Sequence, residues 1–194
     1  MTSFESQIQT IIDKMHVIFH DATGSNDRVE YMRENNIAGD INWSFSLSAD
    51  DIINKKIPPR VAGCTGRAKL FCHLAAACDI LCYVVATANY EDWLRAQAGH
   101  PNIINGHQII AVEMDGKLRA FSPGREKLEW ISGDVVPGRF ISAVRNKPQN
   151  LITAVVPGDE FAKCDTYQKL RNLYTSGSMD CSDFIITPGE AFVV

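Results

Sequence analysis

None of the apolar runs in this chain of 194 residues reaches the roughly 18 residues that a membrane-spanning helix needs, so no membrane partner is expected. The N-terminal stretch Met1 to Gln7 has no cationic segment followed by an apolar one, so no secretory signal is expected either. Both absences point to the cytoplasm, where structural disulfides are rare. An excess of positive charge is missing too: the formal net charge is −4 and the pI about 5.7, which makes nucleic acid a poor partner. There is no internal repeat and no low-complexity tract. Six cysteines are present without a Cys-x₂-Cys pair, the tight knuckle from which zinc sites draw two ligands. No metal and no other cofactor is expected.

What is present is ordinary globular composition, 45% hydrophobic and 22% charged, enough to bury one core. A single domain over 1–194 is expected. Residues 3–20 read as an amphipathic helix: Ser3 is a candidate N-cap, and Phe4, Ile8, Ile11, Ile12, Met15 and Ile18 recur at helical spacing. A second short helix is expected over 27–35. A third follows Ser48, with Asp50 and Asp51 at its positive end and Lys55 and Lys56 at its negative end. Pro58 and Pro59 stop it.

From Cys64 to about Ala77 only Arg67, Lys69 and His73 interrupt apolar or small residues, so a helix buried on most sides is expected. Leu81 to Ala88 is short and rich in β-formers, hence a strand. Residues 89–99 read as a loop or short helix. Gln108–Met114 and Lys117–Phe121 flank Asp115-Gly116, a strong hairpin signal. A strand over 151–156, a helix over 166–174 and a strand near 183–187 complete the reading. Helices followed by antiparallel strands predict an α+β fold.

Four of the six cysteines fall between Cys64 and Cys82. Cys72, Cys78 and Cys82 read as buried thiols that pack as small hydrophobes. Cys64 differs because it follows Gly63 at the head of the buried helix, where free amides and the helix dipole favour the nucleophilic thiolate. Gly63 and Gly66 leave room for a substrate. A thiolate nucleophile needs a base, and His107, opening the hairpin, is the candidate. His73 is nine residues along the helix, ~13 Å away, and is too far. His100 stays open as a second choice.

These elements, taken in order, resemble the transglutaminase-like superfamily over about residues 46–125. Gly63-Cys64-Thr65-Gly66-Arg67 and the strand after it resemble the family's nucleophile helix and following strand. Asn105-Gly106-His107 and the hairpin down to Ser122-Pro123 resemble its histidine strand, turn and third strand. The resemblance implies a cysteine at the N-terminus of a buried helix packed on an antiparallel β-sheet, in the papain-like manner. Residues 1–45 would then be an N-terminal helical elaboration and 126–194 a completion of sheet and helix. It implies acyl transfer through a Cys64 thioester with His107 as base, in a hydrolase or acyltransferase of protease, deamidase or transglutaminase type acting on a protein or peptide.

One residue departs from the family pattern. Ser122 stands where the family carries an aspartate; a hydroxyl can orient an imidazole but supplies no charge. Glu113 shares the face of His107 yet is ~20 Å along the strand. Glu91 or Asp92 is a lesser source of an acid. Trp43, Thr65 and Trp93 are weaker candidates for oxyanion or substrate contacts. The missing acid keeps an alternative open, a binding or scaffold protein of the same fold with weakened or lost catalysis.

Overall fold

The computed structural model describes residues 3–37, 43–91, 106–142 and 150–177. The chain begins with α1 (Phe4–His20), started by Ser3, whose hydroxyl accepts from the Ser6 N–H. Its stripe of Ile8, Ile11, Ile12 and Met15 is buried. Asp27 caps α2 (Arg28–Glu34) in the same way. A single turn, α3 (Trp43–Ser46), precedes α4 (Ala49–Asn54), where Ser48 and Asp51 form a reciprocal capping box. Among the described residues no helix is long and apolar enough to cross a membrane.

The central helix α5 (Pro59–Ala76) begins earlier than the sequence predicts. Pro59 occupies its first position, where a missing N–H costs nothing and a fixed φ favours the helix. The double proline therefore opens a helical turn as well as closing α4. That turn ends at Gly63, whose φ of 64° and ψ of −167° lie where only glycine is comfortable. A new helical run starts at Cys64.

The sheet is antiparallel throughout, in the order β4-β3-β2-β1-β6-β5. Its strands are β1 (Cys82–Asn89), β2 (Gly106–Met114), β3 (Lys117–Phe121), β4 (Trp130–Ile131), β5 (Phe140–Ile141) and β6 (Asn150–Pro157). Asp115 and Gly116 both take positive φ, as the tight turn between β2 and β3 requires. Strand β6 lies inside the sheet between β1 and the edge strand β5, so the C-terminal third of the chain supplies an internal strand. A bulge at Ala86 lets the Thr153 hydroxyl donate to the Ala86 carbonyl. The short α6 (Gly158–Ala162) follows β6 directly, and α7 (Tyr167–Gly177) ends the described chain. The strand expected near 183–187 and residues 92–105 lie outside the described residues.

Helices and antiparallel sheet thus form an α+β fold. One face of the sheet, with Val84, Ala86, Ile110, Val112, Phe121, Ala154 and Val156, shares a core with α1, α4, α5, α6 and α7. Phe71 of α5 meets Phe121 edge-on, ring centroids 5.2 Å apart. The other face carries a smaller cluster of Val85, Ile109, Ala111, Ala120 and Ile152, joined by Val135 and Ile141. Helix α1 is also tied to the segment after β3: Gln9 exchanges hydrogen bonds with Glu126 and Leu128, and the Trp130 indole donates to Glu5.

Lys69 fastens α5 to its neighbours. It is fully buried, and its ammonium donates to the carbonyls of Phe45, Leu47 and Cys164, matching three donors to three acceptors. Phe45 and Leu47 lie at the end of α3 and Cys164 just past α6, so one cation satisfies carbonyls that their short helices leave open. Burial pulls its pKa down to about 8, against opposing attraction from Cys164, Asp165 and Asp51.

Replacing Lys69 by Met leaves the three carbonyls without their donor, and we expect a loss of about 3 kcal/mol in urea unfolding. The pH dependence has a defined sign. Lys69 loses its proton near pH 8 when folded but only near 10.5 when unfolded. The unfolded chain then binds more protons across this window, so this residue's contribution to stability rises with pH. The stability of the wild type relative to Lys69→Met should therefore grow from pH 8 to pH 10.5; a flat difference would contradict the assignment.

Candidate functional site

The conformation of Gly63 sets the position of Cys64. A side chain there would be strained by its positive φ and would also stand 3.1 Å from the Arg28 guanidinium. Past this break Cys64 heads the long run of α5 and is half-buried, as the sequence reading anticipates for its place on the helix. At Gly66, one turn into this run, a Cβ would come within 2.8 Å of Ala62. The glycine is thus required for close packing of the two halves of α5.

The thiol of Cys64 donates to the carboxamide oxygen of Gln108 on β2. The hydroxyl of Thr65 donates to the same oxygen at 3.3 Å. Gln108 and Thr65 are buried. The hydroxyl of Tyr174 on α7 also interacts with the Gln108 side chain. Burial pushes that phenol well above its ordinary pKa; the Gln108 contact opposes the shift, and Cys64 reinforces it. A buried polar cluster of Cys64, Thr65, Gln108 and Tyr174 therefore joins α5, the central sheet and the C-terminal helix.

His107 precedes Gln108 on β2, and strand alternation sends its Cβ to the opposite face, the one carrying Ile109 and Ala111. The Cys64 thiol is thus bonded to the neighbour of the expected base. Burial lowers the pKa of His107, and the charge of Arg67 lowers it further, which favours the neutral imidazole. Its backbone carbonyl accepts from Thr87 at 3.1 Å. Ser122, just beyond β3, is half-buried, and its carbonyl accepts from the Arg125 amide. Among the described residues no hydrogen bond joins its hydroxyl to His107.

Arg67 follows Cys64 by three residues, hence on the same side of the helix. Its guanidinium reaches the loop after β3, and a Cβ on Gly124 would come within 2.6 Å of it. Burial lowers its pKa; the thiol of Cys64 opposes this and Arg60 adds to it. Arg67 therefore acts electrostatically on both Cys64 and His107 from one corner of the sheet.

The remaining expected residues fall as follows. Thr65 belongs to the cluster. Trp43 opens α3 and stacks on Tyr31 with centroids 6.0 Å apart, at the rim of the core. Trp93, Asp92 and His100 lie outside the described residues. Cys72 and Cys82 are buried as expected and face each other. The Cys72 thiol donates to Cys82, which together with burial holds Cys72 well above the thiol range. Cys78 departs from expectation: it is exposed, in the turn after α5 where Asp79 takes a positive φ. Among the described residues no three His, Cys, Asp or Glu side chains converge as metal ligands do.

Sequence reasoning missed Gln108 and Tyr174. The signal for Gln108 was available, because a lone amide at the head of an otherwise apolar strand must find hydrogen bonds once buried. Among known proteins no family model, no curated protein and no solved structure matches this chain.

Gln108 is the common acceptor of the cluster. Gln108→Ala should lower stability by about 2 kcal/mol, through the unmet Thr65 hydroxyl and the space left behind. It should also raise the rate at which Cys64 reacts with a disulfide reagent. An unchanged rate would mean that the carboxamide does not cover the sulfur.

Proposed function

We propose that this chain is a cysteine acyl-transfer enzyme of transglutaminase-like kind, with Cys64 as nucleophile on a carboxamide or peptide carbonyl. The carrying observation is the break at Gly63, which puts a half-buried thiol at the head of a long helix packed on an antiparallel sheet. Glycine takes this conformation without steric cost, and a break of this kind inside a helical segment frees a helix head at which chemistry can be positioned.

This reading requires the His107 ring to turn round the end of β2 to the α5 side. There the sulfur, released from Gln108, gives its proton to the imidazole, whose lowered pKa favours the neutral form a base needs. The sulfur–carbon bond forms as the carbonyl becomes tetrahedral. The carbon–nitrogen bond then breaks, with the proton passing from His107 to the departing amine. Water or a second amine attacks the thioester and frees the thiol. The amide N–H groups at the helix head are the donors nearest a developing oxyanion. Ser122 takes the aspartate's place without its charge, so the imidazolium gains less stabilisation than in a Cys–His–Asp arrangement.

A second reading is favoured by one specific contact. Cys64 donates to Gln108 while the Cβ of His107 lies on the other face of β2, which is the arrangement of a binding protein that keeps the fold and has lost the reaction.

The two readings separate by experiment. For the enzyme, iodoacetamide at neutral pH should label Cys64 ahead of exposed Cys78 and well ahead of Cys72, Cys82 and Cys164, as read by peptide mass spectrometry. Cys64→Ala should abolish release of ammonia or amine from glutamine-containing peptides. Because the His107 pKa is lowered, the acid limb of the rate profile should fall below pH 6.5. Labelling of Cys64 no faster than Cys78, with no turnover, would leave the binding protein.

A further inference from the structure

Near Cys64 stand three arginines that no carboxylate among the described residues neutralises. Arg28, on α2, lies 3.1 Å from where a Gly63 side chain would begin. Arg67 lies one turn beyond Cys64, and Arg60 is close enough to Arg67 to repel it. The ion pairs of the described residues are local: Arg33 with Glu30, Lys55 with Asp51, Arg125 with Glu129, Lys163 with Asp159, Lys169 with Asp165, His20 with Asp21. None reaches Arg28, Arg60 or Arg67. Among the described residues their guanidinium groups also make no hydrogen bond.

Arg28 and Arg67 are both half-buried. A half-buried guanidinium has five N–H donors and has given up part of its hydration, so leaving it without an acceptor is unfavourable. Holding further cations beside it adds repulsion. A bound anion would supply the missing acceptors and relieve the repulsion of Arg67 by Arg60. The planar fork of arginine matches a carboxylate through two parallel hydrogen bonds. Gly124 gives the fork its place, since any Cβ there would collide with the Arg67 Nη1.

We propose that Arg67, supported by Arg28 and Arg60, binds a carboxylate of the substrate beside Cys64, so that the preferred substrates are amides with an acidic group close to the reacting carbonyl. This inference rests on Cys64 being the nucleophile. It adds the substrate class: acidic peptides or small amide acids, in preference to neutral ones. Arg67 is then a specificity-determining residue whose loss weakens acidic substrates more than neutral ones.

The test compares two alkylating reagents of nearly the same size, iodoacetate and iodoacetamide, at Cys64. Each rate is normalised to that of N-acetylcysteine. The wild type should favour iodoacetate about tenfold relative to the small thiol, the size of one charge-assisted contact. Arg67→Gln should remove the preference, and Arg28→Gln should reduce it. Equal ratios in wild type and Arg67→Gln would overturn the proposal. If Cys64 reacts with neither reagent, the acyl-transfer reading fails on its own, and thermal unfolding decides the anion site separately. Succinate at millimolar concentration should then raise the melting temperature of the wild type and not of Arg67→Gln, while succinamide does neither. Absence of a succinate effect, or an equal effect of inorganic phosphate, would overturn the assignment to a carboxylate.

Discussion

A single backbone angle governs the site. With φ at 64° and ψ at −167°, Gly63 interrupts α5 after one turn and lets a second helical run start at Cys64. Had the helix continued unbroken, Cys64 would be an interior residue with its amide hydrogen-bonded one turn back. The break turns it into a helix head, and Gly66 then allows the two runs to pack closely. Ordinary side chains are excluded at Gly63 by sterics, so only glycine makes the break without strain, and the break is held by what packs around it.

What holds it is largely polar and buried. Lys69 anchors the middle of α5 through three carbonyls from two short helices, and Gln108 ties its head to the sheet through Cys64 and Thr65. Apolar contacts against Ile110, Val112 and Phe121 supply the bulk of the adhesion, while these directional bonds select one rotation and one register of the helix on the sheet. Tyr174 carries the same network to the C-terminal helix. The network around the sulfur therefore extends well past residue 125, the end of the stretch on which the sequence expectation rested.

Much of the fold was legible where a strong local rule applied. Helix α1 followed from its spacing of isoleucines and its serine cap, α4 from its capping residues, and the β2–β3 hairpin from Asp115-Gly116. The two-residue strands β4 and β5 have no period to read, and α3 and α6 are too short to show one. The start of α5 was displaced because proline both ends helices and begins them, and the sequence does not say which. At the site, the head-of-helix position of Cys64 was legible from Gly63. The face of His107 was not, because β2 is buried on both sides and alternation cannot be phased from an apolar run. Its phase is set by Gln108 reaching α5, a long-range contact. Lys69 stood out only as an interruption, and its meaning depends on carbonyls from distant segments.

The account's central claim is that the geometry of Gly63 makes Cys64 a nucleophile. It is tested most directly by following acylation of Cys64 with an activated ester, by mass spectrometry, in the wild type and in Gly63→Ala. The account predicts a thioester on Cys64 of the wild type, with its rate of formation reduced about tenfold or more in a Gly63→Ala protein that remains folded by circular dichroism. Equal acylation of the two proteins, or acylation that bypasses Cys64 in the wild type, would contradict it.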